Sequence, residues 1–191
     1  MGIHDGDGPM NRAVFLDRDG VLNLALVRDG KPYSPANVSE LQLAPGAAEA
    51  LRELKELGFK LLVVTNQPEV ARGNTTRAAV EEIHRKIASE LAVDEIFVCY
   101  HQDGDGCECR KPRPGMLLEG ARKYNVNPGE SFMVGDRWRD VEAGQNAGCR
   151  TVFIDGGYED REPARPADAR VHTLREAVDW ILAECQKGVV R

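Results

Sequence analysis

The stretch "VFLDRDGVLN", residues 14–23, joins an apolar run to two aspartates and a glycine. The run AVFLD (13–17) predicts a buried strand that ends at Asp17. Asp19 follows two residues later, so in an extended chain both carboxylates point to the same side, and Gly20 permits a sharp turn after them. Two like charges at one strand end need a cation. Mg²⁺ prefers such oxygen ligands, and the pair therefore indicates a magnesium site, with a solvated strand end as the alternative.

Apolar runs and helical patterns alternate from this strand to the end of the chain. Four further runs predict strands: KLLVVTN (60–66), EIFVCY (95–100), SFMVGD (131–136) and TVFID (151–155). Amphipathic patterns that open on a proline or a capping residue predict helices at 45–58, 75–91, 114–125, 138–148 and 173–185. This alternation is typical of an α/β fold, and it predicts a three-layer αβα sandwich with a central parallel sheet.

Length and composition exclude several classes of protein. The 191 residues suit one domain. The net charge is −6 and the basic residues are scattered along the chain, which argues against a nucleic-acid partner. No apolar run approaches the ~20 residues of a membrane span, and the start lacks a secretory signal. We therefore expect a disordered leader at 1–12, a single domain at 13–187, and a cytoplasmic monomer without a membrane partner. Segments 20–44 and 156–170 are expected to be weakly ordered.

Polar side chains follow other predicted strands. Thr65 and Asn66 end the second strand, and Asp136 ends the fourth. Because ligands bind outside the carboxyl ends of parallel strands, these residues are expected to meet Asp17 in one site. Lys111 stands directly before a helix that starts with proline, where its ammonium can neutralise a phosphate. Taken singly, each has a simpler explanation, namely a turn residue or an exposed lysine.

The stretch "CYHQDGDGCECRKP", residues 99–112, contains a candidate zinc site. Its ligands are Cys99, His101, Cys107 and Cys109. Three thiolates and one imidazole complete a tetrahedral Zn²⁺ set, and a closed set of four protein ligands is structural rather than catalytic. The alternatives are a redox loop or three unrelated thiols, although Cys-x-Cys is too tight for an easy disulfide.

The histidines and cysteines outside this loop carry weaker signals. Cys149 and Cys185 lie in or beside predicted core segments and are expected to be ordinary buried thiols. His84 stands among charged residues in the middle of a predicted helix and is expected on a solvated face.

In their order and spacing, these motifs resemble those of the haloacid dehalogenase superfamily. The matching pieces are DRDG (17–20), TN (65–66), KP (111–112) and GDRWRD (135–140). Together with the zinc loop they narrow the resemblance to the D-glycero-D-manno-heptose-1,7-bisphosphate 7-phosphatase family and its close relative, the histidinol-phosphate phosphatase domain. The resemblance covers roughly residues 13–185. It implies a Rossmann-like core without a large cap domain, whose place is taken by the small zinc loop.

The resemblance also implies roles for individual residues. Asp17 would be the nucleophile that forms an aspartyl-phosphate, and Asp19 the general acid/base. Mg²⁺ would be held by Asp17, the Asp19 carbonyl and Asp136. Thr65 and Lys111 would grip the transferring phosphoryl group.

The substrate implied by the resemblance is a small phosphorylated sugar. Arg110 would contact the phosphate that is not hydrolysed, and Asn66 and Arg137 complete the expected substrate-binding residues. The expected reaction is Mg²⁺-dependent hydrolysis of the 7-phosphate of D-glycero-D-manno-heptose 1,7-bisphosphate, a step of heptose biosynthesis. The alternatives are a histidinol-phosphate phosphatase and a non-catalytic phosphosugar-binding zinc domain. Asp140 is either a partner of the site or a helix-start acid.

Overall fold

A computed structural model describes residues 10–189 of the chain. Of the leader expected at 1–12, residues 1–9 lie outside the described residues. Asn11 is already joined to the domain, because its N–H donates to the Asn125 carbonyl at 2.7 Å and its carbonyl accepts from the Asn127 N–H at 2.9 Å. Within the described range, no helix combines the length and the apolar character that crossing a membrane requires.

Strands and helices alternate along the described residues. The strands are β1 (Ala13–Leu16), β2 (Leu26–Arg28), β3 (Lys31–Tyr33), β4 (Lys60–Asn66), β5 (Glu95–Cys99), β6 (Phe132–Gly135), β7 (Arg150–Ile154) and β8 (Ala169–Val171). The helices are α1 (Ala47–Glu56), α2 (Arg77–Glu90), α3 (Gly115–Tyr124), α4 (Trp138–Ala147) and α5 (Leu174–Val189). Each of the five predicted strands and five predicted helices is present, with ends shifted by a few residues.

Six parallel strands form the central sheet, in the order β5-β4-β1-β6-β7-β8. The first strand lies in the middle, and its four residues are fully buried, as expected for a strand covered on both faces. Leu16 pairs with Val63 of β4 on one side and with Val134 of β6 on the other. The residues that follow these strands therefore meet at one edge of the sheet.

Alternate residues of β1 point into two separate apolar cores. Val14 and Leu16 pack in the core that α1, α2 and α5 cover, whereas Phe15 packs in the core that α3 and α4 cover. Cys149 lies buried in this second core, where burial raises the pKa of its thiol to about 12, and the expectation of an ordinary buried thiol is confirmed for this residue. Cys185 is only half-buried against the first core, so the same expectation is wrong there. Helices on both faces of a parallel sheet confirm the predicted three-layer sandwich.

Two segments expected to be weakly ordered contain regular structure. Strands β2 and β3 form an antiparallel hairpin within 20–44, followed by a short 3₁₀ helix at Val38–Glu40. In the other segment, 156–170, Ala169 begins β8, which extends the main sheet. Strands of three residues are too short to show a period of two, which is why the sequence pattern missed them. No large cap is inserted here, only the hairpin.

Candidate active site

A cleft of about 280 Å³ opens at the carboxyl edge of the sheet. Its buried part, here called the carboxylate end, consists of Asp17, Lys111, Asp136 and Asp140. Its more exposed part, here called the arginine end, contains Arg72, Arg110, Arg137 and Arg139. The hairpin closes one side through residues 32–34. Charge is therefore divided along the cleft, with most acids deep and the arginines near solvent.

Lys111 lies in the middle of the carboxylate end. Its Nζ is 2.9 Å from Asp17 Oδ1 and 2.6 Å from Asp140 Oδ1, and it donates to the Val64 carbonyl at 2.7 Å. Burial alone would lower the pKa of this amine, but Asp140 and Asp17 outweigh burial and raise it. The lysine is therefore a buried, protonated cation rather than the exposed side chain that a lone lysine suggests.

Three carboxylates cluster beside this lysine. Oxygen atoms of Asp17, Asp136 and Asp140 lie within 4.8 Å of one another. Asp136 Oδ1 is buried without a hydrogen-bond partner among the described residues. Burial and the neighbouring carboxylates raise the pKa of Asp17 to about 7 and that of Asp136 well above its usual range. Surplus negative charge and an unpaired buried oxygen fit a hard divalent cation such as Mg²⁺.

Two glycines allow these carboxylates to approach. A Cβ atom on Gly20, whose φ is +80°, would lie 1.9 Å from Asp136 Oδ2. A Cβ atom on Gly135 would lie 2.1 Å from the Cβ of Asp140. Any larger residue would push Asp136 or Asp140 out of the cluster. The glycines of DRDG and GDRWRD are thus part of the site.

Asp140 was expected to be either a partner of the site or an acid at the start of a helix, and it is both. Its Oδ1 binds Lys111, while its Oδ2 accepts from the Arg137 N–H at 2.9 Å at the start of α4. The same carboxylate therefore caps the helix and holds the lysine in position.

Asp19 is saturated with hydrogen bonds in this conformation. Its carboxylate accepts from Arg18 Nη2 at 2.9 Å, Ser34 Oγ at 2.7 Å, Gln67 Nε2 at 2.9 Å and Asn23 Nδ2 at 3.0 Å. Burial raises the pKa of Asp19, but the charge of Arg18 and these donors outweigh burial and lower it. The residue expected to act as general acid is thus held ionised, and that role stays a prediction.

Behind Asp19 lies a pair that the sequence did not reveal. The Arg18 side chain is fully buried, and its Nη1 lies 3.0 Å from His84 Nε2. The expectation that His84 faces solvent is wrong, because Val80 and Ile87 place this side of α2 in the core. Burial, and then the charge of Arg18, lower the pKa of His84 to about 4. The neutral imidazole therefore accepts a hydrogen bond from Arg18 and fixes the Arg18 side chain behind Asp19.

The two residues predicted after β4 lie near the cleft but act on other protein groups. Thr65 is buried outside the cleft lining, and its Oγ1 accepts from Gln67 Nε2 at 2.9 Å. Asn66 lines the cleft, yet its amide donates to the Lys111 carbonyl and accepts from the Lys111 N–H, each at 3.2 Å. Asn66 thus positions the lysine backbone. Phosphate contact by Thr65 and substrate contact by Asn66 stay predictions.

Each arginine of the arginine end is paired with a carboxylate. Arg110 and Arg139 share Asp103, Arg137 pairs with Asp160, and Arg72 pairs with Glu69. Arg110 and Arg137 were expected in the cleft, whereas Arg72 and Arg139 were missed. Arg139 carried a signal in the sequence, because a residue in the first turn after Gly135-Asp136 must lie near that strand end.

The four predicted zinc ligands converge on one point. Tetrahedral Zn²⁺ with ordinary bond lengths places sulfurs about 3.8 Å apart and a sulfur about 3.5 Å from a nitrogen. Cys99 Sγ lies 3.7 Å from Cys107 Sγ and 3.6 Å from His101 Nδ1. Cys109 Sγ lies 3.4 Å from the same nitrogen and 3.2 Å from Cys99 Sγ. The three cysteines are free thiols, and the set of one imidazole and three thiols, with this spacing, fits zinc.

The zinc loop is packed against the start of α3. The Gly115 N–H donates to the Glu108 carbonyl at 3.1 Å, and a Cβ atom on Gly115 would lie 2.3 Å from that oxygen. Arg113 Nη1 donates to the carbonyls of Gly106 at 2.8 Å and Cys107 at 2.7 Å. The loop and the residues that carry Arg110 into the cleft are therefore one connected unit.

Comparisons with known proteins show which family the chain resembles. The model of the haloacid dehalogenase-like hydrolase family matches residues 26–148, a range that includes Lys111 and Asp136. A D-glycero-beta-D-manno-heptose-1,7-bisphosphate 7-phosphatase of Pasteurella multocida is 38% identical over 160 residues, which span 78% of this chain and 84% of the relative. The Escherichia coli protein of the same name is 34% identical, over 89% of this chain and 87% of its own.

Solved structures show the same likeness. The D,D-heptose 1,7-bisphosphate phosphatase of B. bronchiseptica, in complex with magnesium and phosphate, superposes with a TM-score of 0.75 at 31% identity. The match covers 91% of this chain and 99% of that one. The corresponding Burkholderia thailandensis structure, at 24% identity and a TM-score of 0.63, shares the fold.

Proposed function

The chain belongs to the haloacid dehalogenase-like hydrolases, and from that premise we propose that it is a Mg²⁺-dependent phosphatase that removes the 7-phosphate of D-glycero-D-manno-heptose 1,7-bisphosphate. The observation that carries this proposal is the division of charge in the cleft. Lys111 and Asp17 suit a phosphate at the carboxylate end, and four arginines suit a second anion at the other. The relatives named for this activity, at 31–38% identity, support the same substrate.

Asp17 is the nucleophile of the proposed reaction. Its carboxylate oxygen forms a bond to the phosphorus of the 7-phosphate while the bond from phosphorus to the sugar oxygen breaks. Water then attacks the phosphorus, and the bond to Asp17 breaks, which releases phosphate and restores the carboxylate. Lys111, which already lies 2.9 Å from Asp17 Oδ1, compensates the charge on the transferring oxygens.

Asp19 moves the proton in both steps. It protonates the leaving sugar oxygen and then takes a proton from the attacking water. Because its oxygens accept from Arg18, Ser34 and Gln67 in this structure, Asp19 has to exchange some of these bonds before it faces the leaving oxygen. It also has to take up a proton first, from the protonated substrate phosphate or from solvent, because its pKa is lowered here. Arg18, fixed by His84, is the donor that keeps the acid close to the nucleophile in the meantime.

Asp17, Asp136 and the Asp19 carbonyl are the groups that would hold Mg²⁺. When bound, the ion supplies charge compensation for the phosphoryl oxygens and for the clustered carboxylates. The orphaned Asp136 Oδ1 and the raised pKa of Asp17 support this assignment. Asp140 belongs to the same cluster, but its Lys111 and Arg137 contacts give it a positioning role.

Zn²⁺ on Cys99, His101, Cys107 and Cys109 has a structural role in the proposal. Arg110 Nη1 donates to the His101 carbonyl at 3.1 Å, so ordering of the zinc loop fixes where this arginine points. The loop takes the place of a cap domain at the entrance of the cleft. Free thiols throughout, and a soluble sugar phosphate as substrate, support a cytoplasmic location.

Phosphate release from heptose 1,7-bisphosphate, fructose 1,6-bisphosphate and histidinol phosphate, measured side by side with Mg²⁺, tests the function. The heptose substrate is expected to give the highest kcat/KM. Histidinol phosphate places a cationic amine where Arg110 and its neighbours require an anion, so it should be the poorest substrate. Highest activity on histidinol phosphate, or none on the heptose, would overturn the proposal.

Arg110→Ala sharpens the same test. Its loss should raise KM for the heptose bisphosphate far more than for histidinol phosphate. Arg122, exposed on α3 outside the cleft, supplies the matched control as Arg122→Ala, which should leave both values unchanged. An equal, small effect of Arg110→Ala on both substrates would remove the reason for preferring the sugar.

A further inference from the structure

Two arginines from different elements converge on one carboxylate at the mouth of the cleft. Asp103 Oδ1 lies 3.0 Å from Arg110 Nε and 3.1 Å from Arg139 Nη1. Arg110 follows the zinc loop, and Arg139 lies in the first turn of α4. Paired guanidinium groups that converge on one point are an arrangement that suits a phosphate.

We propose that Asp103 is a built-in counter-ion that occupies the anion site of Arg110 and Arg139 in the free enzyme, and that the phosphate which is not hydrolysed must displace it. Arg139 thereby becomes a substrate-binding residue of the arginine end. This inference rests on the proposed function, because it requires a substrate with a second anion.

The two arginines are held in place by groups other than Asp103. Arg110 also donates to the His101 carbonyl at 3.1 Å, and its side chain is only 10% exposed. The guanidinium of Arg139 lies 4.4 Å from the ring centroid of Trp138. Both groups can therefore keep their positions when the carboxylate between them leaves.

Asp103, in contrast, is free to leave. Its side chain is 54% exposed, and among the described residues its carboxylate bonds only to Arg110 and Arg139. It lies on the zinc loop between His101 and Cys107, in the stretch DGDG, whose small residues and glycines permit movement between fixed ligands. Rotation of one side chain into solvent would clear the site.

Charge decides which anion displaces the carboxylate. A phosphate monoester carries about −1.5 to −2 at neutral pH, so it attracts two arginines more strongly than one carboxylate does. A ligand with only a single carboxylate at this position gains nothing over Asp103. The counter-ion therefore lowers the affinity only of ligands that place an anion between the two arginines. Net binding at this position remains for a phosphate but not for a single carboxylate, which makes Asp103 a selectivity device.

Titration calorimetry on protein that cannot turn over tests the exchange. Heptose 1,7-bisphosphate and heptose 7-phosphate are titrated into zinc- and Mg²⁺-loaded Asp17→Asn protein with and without Asp103→Asn. Loss of the competing charge should tighten binding of the bisphosphate about threefold or more and leave the 7-phosphate unchanged. Tightening of both ligands alike, or of neither, would overturn the proposal, as would failure of the bisphosphate to bind either protein.

Two further variants show whether the effect acts through the arginines. Glu108→Gln removes the same charge from the same loop, but Glu108 is 84% exposed and pairs with Arg113 outside the cleft, so binding should not change. With Arg139→Gln added, the gain from Asp103→Asn should shrink. An undiminished gain would mean that Asp103 acts through general electrostatics, and the specific exchange would be wrong.

The wild-type enzyme separates the two proposals. If it releases phosphate from the bisphosphate while Asp103→Asn leaves binding unchanged, only the counter-ion proposal fails. If it releases none, but Asp103→Asn still tightens bisphosphate binding selectively, the proposed function fails and the counter-ion exchange stands.

Discussion

The two candidate metal sites of this domain differ in how the protein holds their ligands. Asp17 and Asp136 follow neighbouring strands of the main sheet and are buried, at 8% and 3% exposure. Of the zinc ligands only Cys99 lies at a strand end, while His101 is exposed on the loop. The sheet places the two carboxylates, whereas three of the four candidate zinc ligands lie on a loop, so we expect the order of that loop to depend on its metal.

The donor atoms differ in the same way. Carboxylate oxygens suit a hard ion that takes part in phosphoryl transfer. Thiolates suit an ion that stays bound and orders the loop around it. Loss of the carboxylate site should therefore stop phosphate release but leave the fold intact. Loss of the zinc site should leave the chemical step intact but disorder the residues at the cleft entrance. Four experiments test this difference.

The largest effect is expected from Asp17→Asn. Without the proposed nucleophile, kcat for phosphate release should fall about 10⁴-fold or more. The melting temperature should not fall, because the variant removes a buried carboxylate whose pKa is raised by burial and by Asp140. Asp155→Asn is the control, since Asp155 follows β7 as Asp17 follows β1 but lies outside the cleft. Retention of substantial turnover by Asp17→Asn would remove the nucleophile from the scheme.

Removal of zinc should act on binding rather than on the chemical step. In Cys107→Ser/Cys109→Ser protein we expect loss of bound zinc, faster hydrogen exchange in 99–112 and a KM for the bisphosphate raised about tenfold. The value of kcat should change less, because Asn66 and the Val64 carbonyl still hold Lys111.

Cys185→Ser controls for the loss of a thiol outside the zinc loop. Full selectivity for the bisphosphate in the zinc-free protein would show that the loop does not shape the cleft. A drop in kcat as large as that of Asp17→Asn would make zinc part of the chemistry.

His84→Gln tests the support behind the carboxylate end through its pH dependence. The pKa of His84 is lowered to about 4 in the folded protein from an ordinary value of 6.5, so the unfolded chain binds more protons between these values. Stability from this group is therefore complete above pH 6.5 and is lost as the pH falls towards 4, by about 3 kcal/mol in all. Glutamine keeps an acceptor for Arg18 but does not titrate.

Urea unfolding of both proteins from pH 4 to 8 measures the difference. The wild type should lose more stability than the variant on acidification, and the two curves should converge near pH 4. Parallel curves would show that His84 does not titrate in this window.

The smallest predicted effect is the pH dependence of stabilisation by Mg²⁺. In the metal-free protein the pKa of Asp17 is raised to about 7, so the folded state holds extra protons below that value and loses stability as the pH rises. Mg²⁺ displaces those protons and should stabilise more at pH 8 than at pH 6. When free Mg²⁺ is at ten times its Kd, binding stabilises the folded state by about 1.4 kcal/mol, or about 4 °C in melting temperature.

Asp136→Asn should abolish this gain, because it removes the carboxylate that has the unpaired oxygen. Equal stabilisation at both pH values would place the ion away from Asp17 and Asp136.

The site residues that could be predicted are those that the adjacent sequence makes recognisable. Asp17 and Asp136 could be singled out because each ends an apolar run, and the candidate zinc ligands because they lie within eleven residues of one another. Parallel strands then bring the two aspartates together without any further information. The fold class followed from the same alternation.

Other features depend on distances that only the folded chain sets. The sharing of Asp103 by Arg110 and Arg139 joins a loop to a helix, and no spacing in the sequence indicates it. Two of the four donors around Asp19 likewise come from distant parts of the chain, Ser34 after the hairpin and Gln67 after β4. His84 was different, because its spacing from Val80 and Ile87 already placed it on the apolar face of α2, and the charged neighbours obscured that period.

The most direct measurement is phosphate release from heptose 1,7-bisphosphate by one preparation of zinc-loaded protein, with and without Mg²⁺, with the zinc content determined in parallel. Separate roles for the two sites predict one zinc per chain throughout, no turnover without Mg²⁺ and full turnover when it is added. Turnover by zinc-loaded protein that lacks Mg²⁺, or no turnover when both metals are bound, would contradict the assignment of the chemistry to the carboxylate end.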